Sequence, residues 1–191
     1  GWAVQMSETL DAFKDHPDMA GVDLVVPIWT MGKITHEQFA PLQNAVINGT
    51  GVAGFHGGMG DAFREFCEWQ VMTGGQFVGH PGNQIRYMIH IKDPTHPITA
   101  GVHDFVVESE QYYMHVDPSN RVLATTTLPN PNGPGPHAAN GFFEQPQIWT
   151  RLHGKGRVFY SAVGHDAAVL SSQPHWTIIQ RGLLWAARQK P

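Results

Sequence analysis

The sequence predicts an α/β sandwich built on a mostly parallel sheet. Three observations lead there. The short continuous apolar runs Leu24-Val25-Val26-Pro27-Ile28 and Val52-Ala53-Gly54-Phe55-His56 read as strands buried on both faces. Each is followed by a stretch with helical spacing and a glycine stop. An alternating insert then separates these β-α units from a last β-α unit, an order that suits helices packed on a sheet.

The elements follow in chain order. Trp2-Ala3-Val4-Gln5-Met6 reads as a short strand, and Leu24–Ile28 as a buried parallel one. Thr35 and Gln38 form a capping-box pattern, which opens a helix with Phe39, Leu42 and Val46 on one face and Gly49 as its stop. Pro41 sits inside that helix and is expected to kink or shorten its first turn. After Val52–His56, Asp61 is expected to cap a second helix, with Ala62, Phe66 and Trp69 inward and Gly74-Gly75 ending it. Ile85, Tyr87, Ile89 and Ile91 alternate, as in a half-exposed strand. Asp93-Pro94-Thr95-His96-Pro97 is a turn, and Phe105–Val107 and Val122–Ala124 are further short strands. Residues 128–141 hold four prolines and three glycines and read as a long loop. Ile148-Trp149 and Val158-Phe159-Tyr160 pair around Gly154-Lys155-Gly156. The last helix runs from about His175 to Arg188, with Trp176, Ile179, Leu183 and Ala186 on one face.

No linker or repeat divides the chain, so residues 1–191 are expected to form one domain, large enough to bury a core without a staple. The single cysteine, Cys67, forbids an intramolecular disulfide and agrees with a reducing compartment. Net charge is −4 and the 12 Lys and Arg residues are scattered, which argues against nucleic acid and against a polybasic membrane anchor. No apolar run nears the ~20 residues a spanning helix needs, and the first residues are not a signal peptide, so a cytoplasmic location is expected. Histidine, also at 12, is abundant, in keeping with structural roles or with a site that uses neutral imidazole.

In α/β sheets ligands bind at the carboxyl ends of the strands. His56 ends the Val52–Phe55 run and precedes Gly57-Gly58, in the manner of a strand-to-helix elbow. An imidazole there favours a ligand or proton carrier over an acyl-enzyme. His165 ends the Val158–Gly164 stretch, with Asp166 beside it to orient the ring. Glu108-Ser109-Glu110-Gln111-Tyr112-Tyr113-Met114-His115 is dense in functional groups, with Glu110 a candidate ligand or base and Tyr112 a candidate sugar contact. His80, before Pro81-Gly82, is a fourth candidate. His115, Trp29 and Asp61 are further candidate substrate contacts. His96 is expected to fix a turn and His90 to be a strand residue. No His-Glu-x-x-His, Cys-x-x-Cys or Walker motif is present, so any metal site must be assembled from distant segments and no nucleotide cofactor is expected. Gly57-Gly58-Met59-Gly60 is only a weak phosphate signal, and Ser161 and Ser109 lack the Gly-x-Ser-x-Gly context of a hydrolase nucleophile.

Five segments carry a resemblance in register: Gly54–Arg64, Gly74–Pro81, His96–Gly101, Ser109–Pro118, and Gly154–Ser161 with Gly164-His165. They resemble the trehalose-utilisation (ThuA-like) family over nearly the whole chain. The resemblance implies a flavodoxin-like three-layer α/β/α sandwich of the class I glutamine amidotransferase type. It places His56 near that fold's nucleophile elbow and His165 near its catalytic histidine. No cysteine stands at the elbow, so glutaminase activity is not expected. The resemblance does not extend to the family's first strand and helix, which is expected to leave a sheet edge open. The resemblance further implies carbohydrate catabolism. The leading expectation is a metal-assisted enzyme acting on trehalose-related or 3-keto sugars and glycosides, by isomerisation, elimination or hydrolysis. His56, Glu110 and His165 are the expected acid/base groups or, with His80, the ligands of a divalent Zn, Mn, Fe or Ni ion. The alternative is a catalytically inert sugar- or partner-binding domain on the same scaffold. A small sugar or sugar derivative is the expected partner in either case, with self-association left open.

Overall fold

Apolar runs, caps and glycine stops define the elements of the computed structural model, which describes residues 1–15, 19 and 21–188. In chain order these are α1 (Ala12–Asp15), β1 (Leu24–Val25), α2 (His36–Asn48), β2 (Gly51–Phe55), α3 (His56–Gly60), α4 (Cys67–Thr73), β3 (Gly75–Gly79) and β4 (Gln84–Ile91). Next come β5 (Phe105–Glu110), β6 (Tyr113–Val116), β7 (Arg121–Leu128), a 3₁₀ turn at Pro136–Asn140, β8 (Phe143–His153), β9 (Gly156–Ser161), α5 (Ala167–Ser171) and α6 (His175–Ala186). Seven strands form one sheet in the order β1-β2-β9-β8-β7-β4-β5, and β3 and β6 form a small antiparallel pair beside it. The α/β class is as the sequence predicts. Parallel pairing joins β1, β2 and β9, the half that carries the β-α units. The expected insert supplies the other four strands, all antiparallel, so it outnumbers the parallel part.

Strands β2 and β9 alternate between two cores. Val52, Val158 and Tyr160 pack under Phe39, Leu42 and Val46 of α2 and Trp69 and Met72 of α4. Ala53 and Phe159 face the other way, against Ile178, Ile179 and Ala186 of α6. A strand whose two faces both meet helices must be apolar throughout, which explains the continuous runs and produces three layers. Truncating Leu42 to Ala in such a core costs about 2–5 kcal/mol.

The capping box is present: Thr35 Oγ1 accepts the Gln38 N–H at 3.2 Å, and Gln38 Oε1 accepts the Thr35 N–H at 3.0 Å. Pro41 neither ends nor shortens α2. It deprives the Glu37 carbonyl of a helical partner, but Glu37 is exposed and water can serve instead. Ile85, Tyr87 and Ile89 of β4 point inward in alternation, as predicted.

Several expectations need correction. Trp2–Met6 is not a strand: among the described residues no segment pairs with it, and Trp2, Val4 and Met6 are exposed. β1 stops at Val25, because Pro27 has no N–H for a ladder and the Trp29 N–H bonds the Gly58 carbonyl at 2.9 Å instead. Asp61 does not cap a helix N-terminus. It closes α3, its N–H bonding the Gly57 carbonyl at 3.3 Å, while its carboxylate takes the Arg64 guanidinium; a separate helix, α4, starts at Cys67. The long loop begins one residue later than read, since β7 runs to Leu128, and it contains the 3₁₀ turn.

Candidate metal and acid–base site

The site starts from a backbone elbow. β2 pairs with β9 as far as Phe55 opposite Ser161, and His56 then takes φ +46°, a left-handed conformation rare for a residue with a Cβ. The Tyr160 hydroxyl donates to the His56 carbonyl at 3.0 Å and holds the turn. Gly57 follows because a Cβ there would sit 3.2 Å from Thr30 Oγ1 and 3.3 Å from Tyr112 Oη. Strain at such a turn is kept where the surroundings over-determine it, and functional groups are often found there.

The His56 ring is buried and both its nitrogens are committed. Nδ1–H donates to the Ala162 carbonyl at 2.8 Å, so Nε2 carries the lone pair. Nε2 faces Glu110 Oε2 at 3.0 Å. His165 Nδ1 lies 3.2 Å from that same oxygen. His80 Nε2 stands 3.8 Å from Glu110 Oε1, and His80 Nδ1 is buried with no hydrogen-bond partner among the described residues. One ligand atom from each of His56, Glu110 and His165 lies within 4.8 Å of the others. Burial pulls the His56 pKa below its ordinary value, against the smaller opposing pulls of the Ala162 carbonyl and the Glu110 carboxylate. The neutral ring is therefore favoured, which is the form that ligates a cation.

Tyr112 forms one wall. Its ring stacks on His56 at 4.2 Å between centroids and touches Phe77 at 4.4 Å. Burial, with Glu110 and Asp61 nearby, raises its phenol pKa far above the ordinary range, so it stays a neutral donor. Arg64, held by Asp61 through Nε at 2.5 Å and Nη2 at 2.9 Å, lies 5.4 Å over the Phe77 ring.

The structure thus brings together His56, Glu110, His165, His80 and Tyr112. It does not bring in His115, which is exposed on β6 opposite Gln76. The alternation of β6 turns Met114 to the core and therefore His115 away from it. Trp29 is half-buried, its ring 6.5 Å from that of Phe63. Asp61 is buried and occupied by Arg64. Asp166 does not orient His165, because its carboxylate accepts the Val169 N–H at 2.8 Å and caps α5. Ser161 and Ser109 are fully buried, out of reach of any substrate. His96 fixes a turn as expected, its Nδ1 accepting the Ile98 N–H at 3.2 Å. The sequence reading missed Ala162, Tyr160, Phe77 and Thr30. Of these only Tyr160, a phenol in an apolar strand beside the elbow, offered a signal.

Comparison with known proteins agrees with this architecture. The trehalose-utilisation (ThuA) family model matches residues 1–186. A ThuA-like protein of Bacteroides uniformis superposes with a TM-score of 0.75 at 15% identity, covering 97% of this chain and 77% of that one. A ThuA-like protein of Parabacteroides merdae gives 0.72 at 21% identity, covering 89% and 72%. A β-galactosidase of Rahnella sp. R3 gives 0.58 at 15% identity, covering 91% of this chain but 24% of that one. At these identities the structures report the fold alone, consistent with the flavodoxin-like type. No curated protein matches the sequence. Among the described residues no helix is long and apolar enough to cross a membrane. With the family model spanning nearly its whole length, the chain belongs to the trehalose-utilisation (ThuA) family.

Proposed function

We propose that the protein is a metal-assisted enzyme of carbohydrate catabolism, acting on trehalose-related or 3-keto sugars and glycosides by isomerisation, elimination or hydrolysis. One observation carries the reading. In its neutral form His56 presents a lone pair at Nε2, because its Nδ1–H is committed to Ala162, yet Nε2 faces a carboxylate oxygen at 3.0 Å that His165 also approaches at 3.2 Å. Electron-rich atoms so close repel unless a cation or a proton lies among them.

The residues fit a cation. Two imidazoles and one carboxylate suit Zn, Mn, Fe or Ni. A ligating histidine commonly donates its other ring N–H to a carbonyl, as His56 does to Ala162. His56, Glu110 and His165 would hold the ion, with His80 beside Glu110 outside the ligand set. When bound, such an ion supplies Lewis-acid polarisation of a substrate carbonyl.

The chain's own groups do the rest. A keto group acidifies the neighbouring C–H, and Glu110 Oε1, on the His80 side, takes that proton. Oε1 passes the proton to the neighbouring His80 Nε2, 3.8 Å away, and His80 returns it on the product side, so both groups end as they began. Tyr112, kept protonated by burial, donates a hydrogen bond to a sugar oxygen. The convergence of His56, Glu110 and His165 favours this reading over an inert binding domain. A cytoplasmic setting belongs to the proposal and is supported by the single cysteine.

The test is proton exchange. Wild type incubated with 3-keto glycosides in D2O should wash out the proton next to the carbonyl, read by NMR, and Glu110→Gln should not. No exchange by wild type across a panel of 3-keto glucosides, with sugar binding intact, would move the binding-domain reading to first place.

A further inference from the structure

The residues of the site come from four separate segments: the end of β2, the residue after β3, the stretch from Glu110 to Tyr112, and the stretch after β9. Something must hold these segments in register. Gln147 is fully buried in β8, between β7 and β9. Its Nε2 donates to the Tyr112 carbonyl at 2.8 Å. Its own backbone carbonyl accepts the Ala162 N–H at 2.7 Å. The Ala162 carbonyl in turn accepts His56 Nδ1–H at 2.8 Å, and His56 Nε2 faces Glu110, two residues before Tyr112. The bonds close on themselves, running Gln147, Ala162, His56, Glu110, Tyr112 and back to Gln147.

Gln147 Oε1 is buried without a hydrogen-bond partner among the described residues. An apolar side chain of the same length would avoid that orphan, so the amide is kept for its donor. We infer that Gln147 is a positioning residue that sets the spacing of Glu110 from His56. Its neighbour in the same strand supplies a matched contrast. Gln145 is also buried, and its Nε2 donates to the Met114 carbonyl at 3.2 Å, but that bond lies outside the closed set.

The inference rests on the metal reading above for its functional consequence, though not for its geometry. The experiment compares tag-free wild type, Gln147→Met and Gln145→Met by two measurements. The first is Zn2+ affinity by competition with a chelator. The second is the exchange rate of the His56 Nδ1–H proton by NMR in metal-free protein. Gln147→Met removes the side-chain bond to the Tyr112 carbonyl and keeps the backbone bond to Ala162, so it should weaken Zn2+ binding through the displacement of Glu110, by up to the ~10–100-fold of a lost outer-shell bond. It should also speed exchange of the His56 proton. Gln145→Met should lower the melting temperature similarly and leave both readouts at the wild-type value. Equal effects of the two variants, or Zn2+ affinity and proton exchange unchanged in Gln147→Met, overturn the inference. If wild type takes no Zn2+, the metal reading fails alone and proton exchange decides the role of Gln147. If Gln147→Met does not fold, Gln147→Glu, which cannot donate when ionised, is judged by the same criteria.

Discussion

Replacing Tyr160 with Phe removes one oxygen atom from the base of the site. Tyr160 is 1% exposed, and its hydroxyl donates to the His56 carbonyl at 3.0 Å. Burial drives its phenol pKa well above the ordinary value, so the hydroxyl keeps its proton and remains a donor. A typical net hydrogen bond contributes about 0.5–1.5 kcal/mol, and a buried carbonyl left without its partner costs about 1–3 kcal/mol. The His56 carbonyl belongs to the first turn of α3, so the lower part of that span applies. Tyr160→Phe should therefore cost about 1–2 kcal/mol in urea unfolding with m unchanged. For a chain of this size that is a fall in Tm of roughly 2–8 °C. The loss should reach function as well, because the bond steadies a residue at φ +46°. A cost below about 0.5 kcal/mol, with Zn2+ affinity unaltered, would refute the idea that this hydroxyl anchors the elbow.

Two further outcomes follow from local chemistry. Thr35→Ala removes the Thr35 hydroxyl half of the capping box on α2, leaving the Gln38 side chain on the residue-35 N–H, and should cost about 1 kcal/mol, read by chemical unfolding with activity retained. His175 is buried against the Ser161 hydroxyl at 3.0 Å, and burial pulls its pKa from 6.5 down to about 4. Between those values the unfolded chain takes up a proton that the folded one refuses. Stability should therefore fall as pH drops from about 6.5 to about 4 and level off below, by roughly 3 kcal/mol from this residue. His56, also lowered, adds a loss of the same sign, so the contribution of His175 is the difference in slope between wild type and His175→Gln. Identical slopes would show that His175 does not titrate in this way.

The β-α half of the fold was legible because its instructions are local. Thr35 with Gln38, the Val52–Phe55 run and the Gly49 stop each act within a few residues. Elements decided by distant partners were not legible. Trp2–Met6 has the pattern of a strand but pairs with no segment among the described residues, and β1 is cut short by Pro27 and by a bond to Gly58. In the site, the strand-end rule found His56 and His165, and functional density found Glu110 and Tyr112. Their meeting was not in the spacing, since His56 and Glu110 stand 54 residues apart. Ala162 acts through its carbonyl, which any residue could offer, and Gln147 looks like an ordinary polar residue in a strand. His115 failed because one position in a strand decides which face a side chain takes.

The most direct measurement is metal content by elemental analysis of protein purified without a metal-affinity tag, on wild type and His56→Ala. Near-stoichiometric Zn, Mn, Fe or Ni in wild type, lost in the variant, is the predicted result. Wild type that holds no metal, and that takes up none of these ions when they are supplied, would contradict the account and leave the His56–Glu110 contact to a shared proton.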